Sequence, residues 1–393
     1  MNFALPPLAP MNPMQNPFNT PVQPGLSRRA WGRWLLGASL GAASVGLGVT
    51  GLKKGVFSSN QGSEQSAPEE ELAGGGGAPL TEKKVALQLQ AYQQADGLIT
   101  TFKASVSEVA DPYFGMFGLM LAQRAGLDTS EAGAGLVRWG LAAQRDDGGF
   151  ERYCGAPGAL KACGRSDSDD ATLARWLQIL AFHAPRPWSA EVTNSFKRAY
   201  VALQALRMKN GIYSVYPHDT PGYRGYALFK DNVEVLNALE SLSEASALKD
   251  DPVLLNHIRK AAQALRPAMH AAFGRGPLAF EVLALGAEYT EKKFYPHHVA
   301  APFAWAEGYV SSTLVERKEH WLQWLRAHQK NWEEFAKTDY PWGLLALGAV
   351  QAGLHEVGQQ WLERTKAQRQ ADERWNVLEE VCAQALAVEL SRS

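Results

Sequence analysis

The sequence predicts an all-α domain made of helical hairpins, and three observations lead to this prediction. Apolar residues recur at helical spacing in one segment after another from Thr81 onward. No stretch shows the sustained alternation of apolar and polar residues that a half-buried strand requires. One sequence unit occurs twice along the chain, and a repeat of this length indicates stacked or ring-closed helical hairpins.

The repeated unit begins where a helix is expected to end. It reads QRDDGGF at residues 144–150 and RMKNGIY at residues 207–213. Each copy passes through a polar residue and a glycine to an aromatic residue, and a long loop follows. A helix that opens on an acid comes next, at Asp169 in the first copy and at Asp231 in the second. Because a single hairpin cannot bury its apolar face alone, the two copies predict neighbouring hairpins.

The periodicity predicts a domain of about twelve helices over residues 81–391, separated by glycine, proline or aromatic loops. The predicted helices are 82–105, 112–125, 129–144, 169–183, 188–207, 231–246, 251–272, 277–288, 297–308, 311–336, 340–353 and 355–390, the last broken near Asp372.

The chain ahead of this domain has three parts. Residues 1–26 are rich in proline and asparagine and are expected to form a disordered arm. Residues 27–54 place arginines before an uncharged run, 34–52, which is long enough to cross a bilayer as a helix and resembles a twin-arginine export signal. Residues 55–80 are predicted to be a flexible, glycine-rich linker.

This order predicts a single-pass protein of the inner membrane, with the folded domain facing the periplasm. Three arginines precede the uncharged run and two lysines follow it, so the arginine side is expected to stay cytoplasmic. No convincing small-x-small cleavage site follows, which favours a retained membrane anchor over a cleaved signal. A buried hydrophobic helix is the alternative interpretation of the run.

Composition and motifs argue against several classes of partner. The chain carries 39 Lys and Arg against 40 Asp and Glu, so it has no basic excess for binding nucleic acid. Its nine histidines show no metal-ligand spacing. Neither a phosphate-binding loop nor a Gly-x-Ser-x-Gly elbow occurs. We therefore predict no metal and no cofactor.

The repeats resemble those of the α/α toroids. The pattern Gln144-x-x-x-Gly148-x-Phe150, followed by an acid-led helix, is similar to the repeats of terpenoid cyclases and prenyltransferases. The number of helices is similar to that of six-hairpin glycosidases, polysaccharide lyases and sugar epimerases. The resemblance implies an (α/α)6-type toroid in which the loops 145–168 and 208–230 converge on one cavity.

The predicted catalytic residues are four carboxylates. Asp167, Asp169 and Asp170 crowd within four positions, which is more than one helix cap needs and can raise the pKa of one acid for proton donation. Capping and a solvated first turn are the alternative. Glycoside hydrolysis needs two carboxylates, and Glu234, one turn into the second acid-led helix, is the predicted partner of Asp169.

The loop 208–230 and its helix are predicted to bind substrate. Aromatic rings suit stacking on sugar faces, and polar groups suit binding hydroxyls. The alternative is that the rings fold the loop back onto the helices. The candidate residues are Tyr213, Tyr216, His218, Asp219, Tyr223, Arg224, Tyr226 and Asp231.

The three cysteines receive two interpretations. Cys154 and Cys163 flank a short segment of the first loop, and in an exported domain they are predicted to form a disulfide, with two free thiols as the alternative. Cys382 lies in the last apolar helix and is expected to be a small buried hydrophobic residue.

These features predict a membrane-tethered, periplasm-facing enzyme that hydrolyses, lyses or epimerises a polysaccharide or oligosaccharide by carboxylate acid/base catalysis. Its expected partners are the glycan or another small-molecule substrate, the membrane, and envelope proteins. One alternative is a terpenoid-cyclase-like enzyme, because Asp167-x-Asp169-Asp170 matches the Asp-x-Asp-Asp core of class II cyclases, whose middle aspartate protonates an alkene. The other is a non-catalytic binding or scaffold protein of the envelope.

Overall fold

A computed structural model describes residues 84–220, 226–274, 283–284, 293–310, 312–371 and 374–392 of the chain. This part of the chain is mostly helical, as predicted. Its helices are α1 Pro112–Arg124, α2 Ser130–Ala143, α3 Asp169–His183, α4 Ala190–Ala205, α5 Phe229–Glu244, α6 Pro252–Phe273, α7 Ala300–Ala306, α8 Leu314–Ala336, α9 Gly343–Gln351, α10 His355–Ala371 and α11 Val377–Ser391. A 3-10 turn, Ser246–Leu248, lies between α5 and α6. A π-helical turn, Phe294–His298, precedes α7.

Six of these helices form a closed circuit. In chain order, α1, α3, α5, α7, α9 and α11 each contact the next, and α11 returns to contact α1. The even-numbered helices α2, α4, α6, α8 and α10 each pack against the odd-numbered helix that precedes them. The odd-numbered helices are buried along most of their length, whereas α8 and α10 each keep a largely exposed face. The predicted ring of hairpins is therefore present, with the odd-numbered helices on its inside.

Short strands lie in the segments that precede α1, α3, α5 and α7. β1 Val109–Ala110, β2 Glu151–Cys154 and β3 Lys161–Arg165 form an antiparallel sheet in that order. β4 Ala227–Leu228 pairs antiparallel with β5 Leu283–Ala284. The predicted disulfide between Cys154 and Cys163 is present and joins β2 to β3. Cys382 is free and buried, as expected.

Two predicted helices do not agree with the structure. Residues 84–105 of the predicted helix 82–105 form turns and isolated bridges. Within the predicted helix 277–288, the described residues Leu283–Ala284 are a strand. The predicted break in the last long helix is confirmed, because α10 ends at Ala371 and α11 begins at Val377.

Both copies of the sequence repeat fold as the same turn. The Arg145 N–H donates to the Gly149 carbonyl at 3.0 Å, and the Gly148 N–H donates back to the Arg145 carbonyl at 3.0 Å. Residues 208–212 make the same two bonds. Glycine is required at the fourth turn position because φ is 89° at Gly148 and 90° at Gly211, in the region that other residues avoid.

A third copy of this turn lies at residues 93–99, where the apolar spacing predicts a helix. It makes the same pair of backbone bonds, and φ at Gly97 is 105°. The Gln93 amide donates to the carbonyl of that glycine at 3.0 Å, as Gln144 does in the first copy at 2.9 Å. This copy ends on Ile99, so a pattern that requires an aromatic residue misses it. The three copies precede α1, α3 and α5.

A Gly148→Ala substitution is expected to lower the free energy of unfolding by about 2 kcal/mol or more. An added Cβ would lie 2.7 Å from the Arg198 carbonyl oxygen, and φ would remain unfavourable. Gly158→Ala is the control, because φ there is 75° but no atom lies within 4 Å of an added Cβ. Urea unfolding should show a loss of only about 1 kcal/mol for the control. Equal losses would contradict the close packing of the turn.

Within the described ranges, none of the helices combines the length and the apolar character that a membrane span needs. The predicted arm, anchor and linker, residues 1–26, 27–54 and 55–80, lie outside the described residues.

Candidate functional site

The two long loops meet at one end of the ring. The Asp169 N–H at the start of α3 donates to the Val215 carbonyl at 3.0 Å. The Tyr216 hydroxyl donates to the Asp167 carbonyl. The loop 145–168 and the described part of the loop 208–230 are therefore neighbours at the N-terminal ends of α3 and α5, as the repeat predicts.

Five acidic residues lie near this junction, and we call them the carboxylate cluster. They are contributed by the loops before α1 and α3, by the first turn of α3 and by the first two turns of α5. The members are Asp111, Asp167, Asp170, Asp231 and Glu234.

Asp167 is the partly exposed member of the cluster. Its side chain is 38% exposed, and Arg152 on β2 donates to its Oδ1 at 3.2 Å. The same guanidinium donates at 2.9 Å to Oδ2 of Asp111, which also accepts the Asp167 N–H at 2.8 Å. Burial raises the pKa of Asp111 to about 6, although Arg152 acts against the rise. Arg152 and Asp111 together fix the orientation of Asp167.

Ser168 bridges two buried acids. Its hydroxyl oxygen lies 2.5 Å from Asp170 Oδ1 and 2.9 Å from Asp231 Oδ2. A serine hydroxyl donates only one hydrogen, so the second contact is satisfied when the other carboxyl carries a proton. Burial, together with the charge of Asp231, raises the pKa of Asp170 well above its usual range. Burial likewise raises the pKa of Asp231 to about 6, against the effect of Lys230.

The second oxygen of Asp170 supports this protonation. Among the described residues, no group donates a hydrogen bond to Asp170 Oδ2, although the atom is buried. A buried carboxylate oxygen without a donor is unfavourable when the group is ionised. Burial and the single hydrogen of the Ser168 hydroxyl therefore favour a proton on one of the two carboxyls, Asp170 or Asp231.

Glu234 is bound on both of its oxygens. Lys230 Nζ and the Tyr113 hydroxyl donate to Oε1 at 2.7 and 2.8 Å. Arg175 Nε donates to Oε2 at 3.2 Å. Burial opposes the charge on Lys230, but Glu234 beside it raises the pKa of the amine well above its usual range. Lys230 Nζ also lies 3.5 Å from Asp231 Oδ1, which links the two acids.

Arg175 links Glu234 of the carboxylate cluster to a second buried acid, Glu307. Its Nη2 donates at 2.9 Å to Oε2 of Glu307, which follows α7 and is also paired with Arg124 of α1. The side chains of Arg175 and Glu307 are fully buried. Burial alone would raise the pKa of Glu307, but the two arginines lower it to about 2. This network connects the inner helices beneath the carboxylate cluster.

Asp169 has different neighbours from the acid beside it. Arg165 donates to its Oδ2 at 2.8 Å, and Arg145 and Asp147 are the other charges that act on it. Burial raises the pKa of Asp169, against the effect of Arg165. The structure thus joins Asp170, rather than Asp169, to Asp231 and Glu234.

Capping does not account for the acids at the start of α3. The N-cap residue is Ser168, and no side chain makes a capping hydrogen bond there. Among the described residues, Asp170 accepts from the N–H of the next residue, at 2.8 Å, and from Ser168.

The predicted substrate-binding tyrosines differ in burial and in the groups that they contact. Tyr216 and Tyr226 are half-buried, and Tyr216 contacts the backbone of Asp167. Tyr213 is completely buried, and its hydroxyl bonds to Gln204 of α4, so it is a core residue. The tyrosines of the loop therefore include a packing residue, Tyr213, and one residue in contact with the cluster, Tyr216.

The other predictions in this loop have different outcomes. Asp231 belongs to the carboxylate cluster, as described above. His218 and Asp219 are exposed on a turn closed by the Thr220 N–H and the Pro217 carbonyl at 2.9 Å. Tyr223 and Arg224 lie outside the described residues.

Half-buried aromatic rings surround the cluster, and we call them the aromatic rim. Each comes from a loop that precedes an inner helix. The Tyr295 and Trp342 ring centroids lie 5.4 Å apart, and those of Phe102 and Tyr340 lie 6.5 Å apart. Burial and the charge of Asp167, among others, raise the pKa of both Tyr295 and Tyr340. The rim consists of Phe102, Tyr216, Tyr295, Tyr340 and Trp342.

Sequence reasoning missed five charged residues of this site. Arg175 and Glu307 stand alone in the apolar stretches TLARWLQIL and APFAWAEGY, and a lone charge at a position that should be buried is a usable signal. Asp111 directly precedes α1, after the third copy of the repeat. Recognising that copy would have marked Asp111 as a candidate site residue. Arg152 and Lys230 carried no signal of this kind.

In the described ranges, no group of three or more His, Cys, Asp or Glu side chains is arranged to hold a metal ion. Members of the carboxylate cluster are paired with Arg152, Arg175 and Lys230.

Comparisons with known proteins found similarity only in solved structures. No family model matches the chain, and no curated protein matches it. A structure described as a novel alpha-amylase from Clostridium perfringens aligns at a TM-score of 0.47 and 11% identity, over 77% of this chain and 94% of that one. A rhamnosidase from Klebsiella oxytoca with rhamnose bound aligns at a TM-score of 0.44 and 13% identity, over 72% and 60%. At these values the likeness assigns neither an activity nor a substrate to this chain.

Proposed function

We propose that the carboxylate cluster and the aromatic rim form the active site of an enzyme that cleaves a glycan by hydrolysis. One observation carries the proposal: a partly exposed carboxylate, Asp167, lies next to a protonatable acid, Asp231, at the mouth of a ring lined with aromatic side chains. Two carboxyl groups that flank a glycosidic bond can divide the roles of acid and base.

In the proposed reaction, Asp231 is the general acid. It donates its proton to the glycosidic oxygen as the bond from that oxygen to the anomeric carbon breaks. Asp167, oriented by Arg152, accepts a proton from the water whose oxygen bonds to the anomeric carbon. Ser168 and Asp170 hold the proton of Asp231 in place before the reaction. Glu234 and Lys230 set the charge around the acid, so Glu234 is a positioning residue in this proposal.

The charges at the site favour a neutral glycan. Arg152 is paired with Asp111 and Asp167, and Lys230 is paired with Glu234 and lies near Asp231. An anionic sugar would have to compete with these carboxylates for the same cations. The terpenoid-cyclase interpretation receives less support, since its proton donor would be Asp169, which is paired with Arg165.

We extend the proposal to the location of the domain. The Arg-led uncharged run within residues 27–54 is proposed to anchor the chain in the inner membrane, with the catalytic domain in the periplasm. The Cys154–Cys163 disulfide supports an oxidising compartment.

Asp167→Asn provides the first test of the proposed function. We expect the full chain to release reducing ends from at least one of a panel of soluble neutral polysaccharides, and the variant to do so at a rate lower by a factor of about 100 or more. Asp147→Asn is the matched control, because Asp147 is an exposed acid of the same loop that pairs with Arg145. Its rate should stay close to that of the wild type. Absence of cleavage throughout the panel, or an active Asp167→Asn protein, would refute the proposal.

A further inference from the structure

One residue of the aromatic rim has a strained backbone. Trp342 has φ 56° and ψ 56°, a left-handed conformation that favours glycine. It directly precedes the inner helix α9. Residues held in this region persist only where the surrounding structure fixes them, and they concentrate at functional sites.

Glu379 of α11 holds the strained turn. Its Oε1 accepts the Trp342 N–H at 3.0 Å, and its Oε2 accepts the Gly343 N–H at 2.7 Å. Because Glu379 is buried, water competes little for these hydrogen bonds. Its carboxylate also lies at the N-terminus of α9, where the helix dipole favours negative charge.

The turn is fixed from a second direction as well. The Pro341 carbonyl accepts the indole N–H of Trp332 at 2.9 Å and that of Trp361 at 3.0 Å. A Cβ added to Gly343 would lie 2.8 Å from the Trp361 ring, so the backbone has no room to move on that side. The backbone that carries the Trp342 ring is therefore held in place before any ligand binds.

The Trp342 ring is connected to the reacting groups through Tyr295. The two ring centroids lie 5.4 Å apart. Tyr295 is close enough to Asp167 and Asp231 that both carboxylates act on its pKa. Trp342 thus lies one aromatic ring away from the carboxylate cluster, and its own ring is half-buried.

We propose that Trp342 is a sugar-binding platform and that Glu379 is the positioning residue that holds it. The inference rests on the proposed function, since it takes the ligand to be the glycan cleaved at Asp167 and Asp231. The expected ligand is a neutral glycan whose pyranose ring presents a flat face of C–H groups, which packs against an indole ring. Trp342 would bind a sugar unit beside the one that reacts.

The test measures binding separately from turnover. Affinity electrophoresis of the full chain, purified in mild detergent, through gels containing laminarin, arabinoxylan, galactomannan or dextran gives a dissociation constant for each polysaccharide. At least one should retard the wild-type protein. Trp342→Ala should raise that constant by about tenfold or more, and Trp342→Phe should raise it less. Trp188→Ala is the control, since Trp188 is a half-buried tryptophan that packs on Phe196 in the connection from α3 to α4.

Glu379→Gln distinguishes positioning from a merely structural role. The glutamine oxygen can still accept a hydrogen bond from one of the two N–H groups, of Trp342 or Gly343. The glutamine NH2 group would point at the other N–H, and since both are donors, that hydrogen bond is lost. We expect the dissociation constant to rise about fivefold while kcat on the same polysaccharide changes less than about twofold. A purely structural role would lower the melting temperature and leave the dissociation constant unchanged, which would overturn the assignment of Glu379.

The outcomes separate this inference from the proposed function. Unchanged binding in Trp342→Ala, an equal loss in Trp188→Ala, or a wild-type protein that none of the four polysaccharides retards would overturn the platform. If the polysaccharide binds through Trp342 but is never cleaved, the platform stands and the proposed chemistry fails. If Asp167→Asn loses turnover while Trp342→Ala binds normally, the chemistry stands and the platform fails.

Discussion

Asp231→Asn is expected to reduce glycan cleavage by a factor of about 100 or more while the protein remains folded. Asn keeps the size of the side chain, and the Ser168 hydroxyl can still donate to its amide oxygen, but the proton for the leaving group is gone. The pKa of Asp231 is raised to about 6. The kcat/KM of the wild type should therefore fall as pH rises through about 6, and the variant should lack this limb of its pH profile.

The stability of Asp231→Asn has a predictable sign. An acid whose folded pKa is raised contributes stability that is present below its unfolded pKa of 3.8 and is lost as pH rises through about 6. Replacing it with a neutral residue should therefore raise stability relative to the wild type at pH 8 more than at pH 5. Thermal unfolding at the two pH values measures this difference. A variant that unfolds much more readily at pH 8 would show that the charge of Asp231 stabilises the fold.

Asp169→Asn distinguishes the sequence prediction from the structural proposal. The sequence favours Asp169 as the acid, because it opens the helix in the repeat. The structure pairs Asp169 with Arg165 and gives Asp231 the protonatable position. If Asp169→Asn abolishes cleavage and Asp231→Asn does not, the acid lies where the sequence placed it and the proposed role of Asp231 is wrong.

Arg175→Met is expected to lower the free energy of unfolding by about 3–5 kcal/mol. The fully buried guanidinium lies between Glu234 and Glu307, at 3.2 and 2.9 Å. Methionine fills a similar volume but carries no charge. Glu234 and Glu307 would each lose one cationic partner while remaining fully buried. The loss includes hydrogen bonds to Gln178 and Asn237 at 3.0 and 3.4 Å. Urea unfolding at pH 7 measures the change.

Lys337→Met is the comparison for this prediction. Lys337 pairs with Glu334 at 2.8 Å, but both side chains are largely exposed. Exposed pairs of this kind contribute less than about 1 kcal/mol. If the free energy of unfolding falls by the same small amount in both methionine variants, the buried charge network contributes little to the stability of the ring.

The hairpin ring was predictable because its signals are local. α3 occupies the predicted residues 169–183, and the two repeated turns depend on glycines whose positive φ leaves little alternative. The helix predicted at 82–105 failed for a related reason: apolar residues at helical spacing there belong to a turn fixed by Gln93 and Gly97. A pattern based on the turn bonds, rather than on the aromatic residue, would have found that copy.

The composition of the site was less predictable because it depends on contacts between distant segments. Asp169 and Asp170 are adjacent and equally acidic in the sequence, and only the fold gives one of them Arg165 and the other Asp231 as neighbours. The strands of the β2–β3 hairpin are too short and too exposed to show alternation, which hid Arg152. Glu379 was missed because its partners are backbone N–H groups of another helix.

The central claim is that a glycan is cleaved between Asp231 and Asp167 at the mouth of the ring. A crystal structure of the Asp167→Asn protein with an oligosaccharide from the polysaccharide it binds tests this claim most directly. We predict a glycosidic oxygen within hydrogen-bonding distance of the Asp231 carboxyl, with a neighbouring sugar ring against Trp342. An oligosaccharide bound away from the carboxylate cluster, with its glycosidic oxygens out of reach of Asp231, would contradict the account.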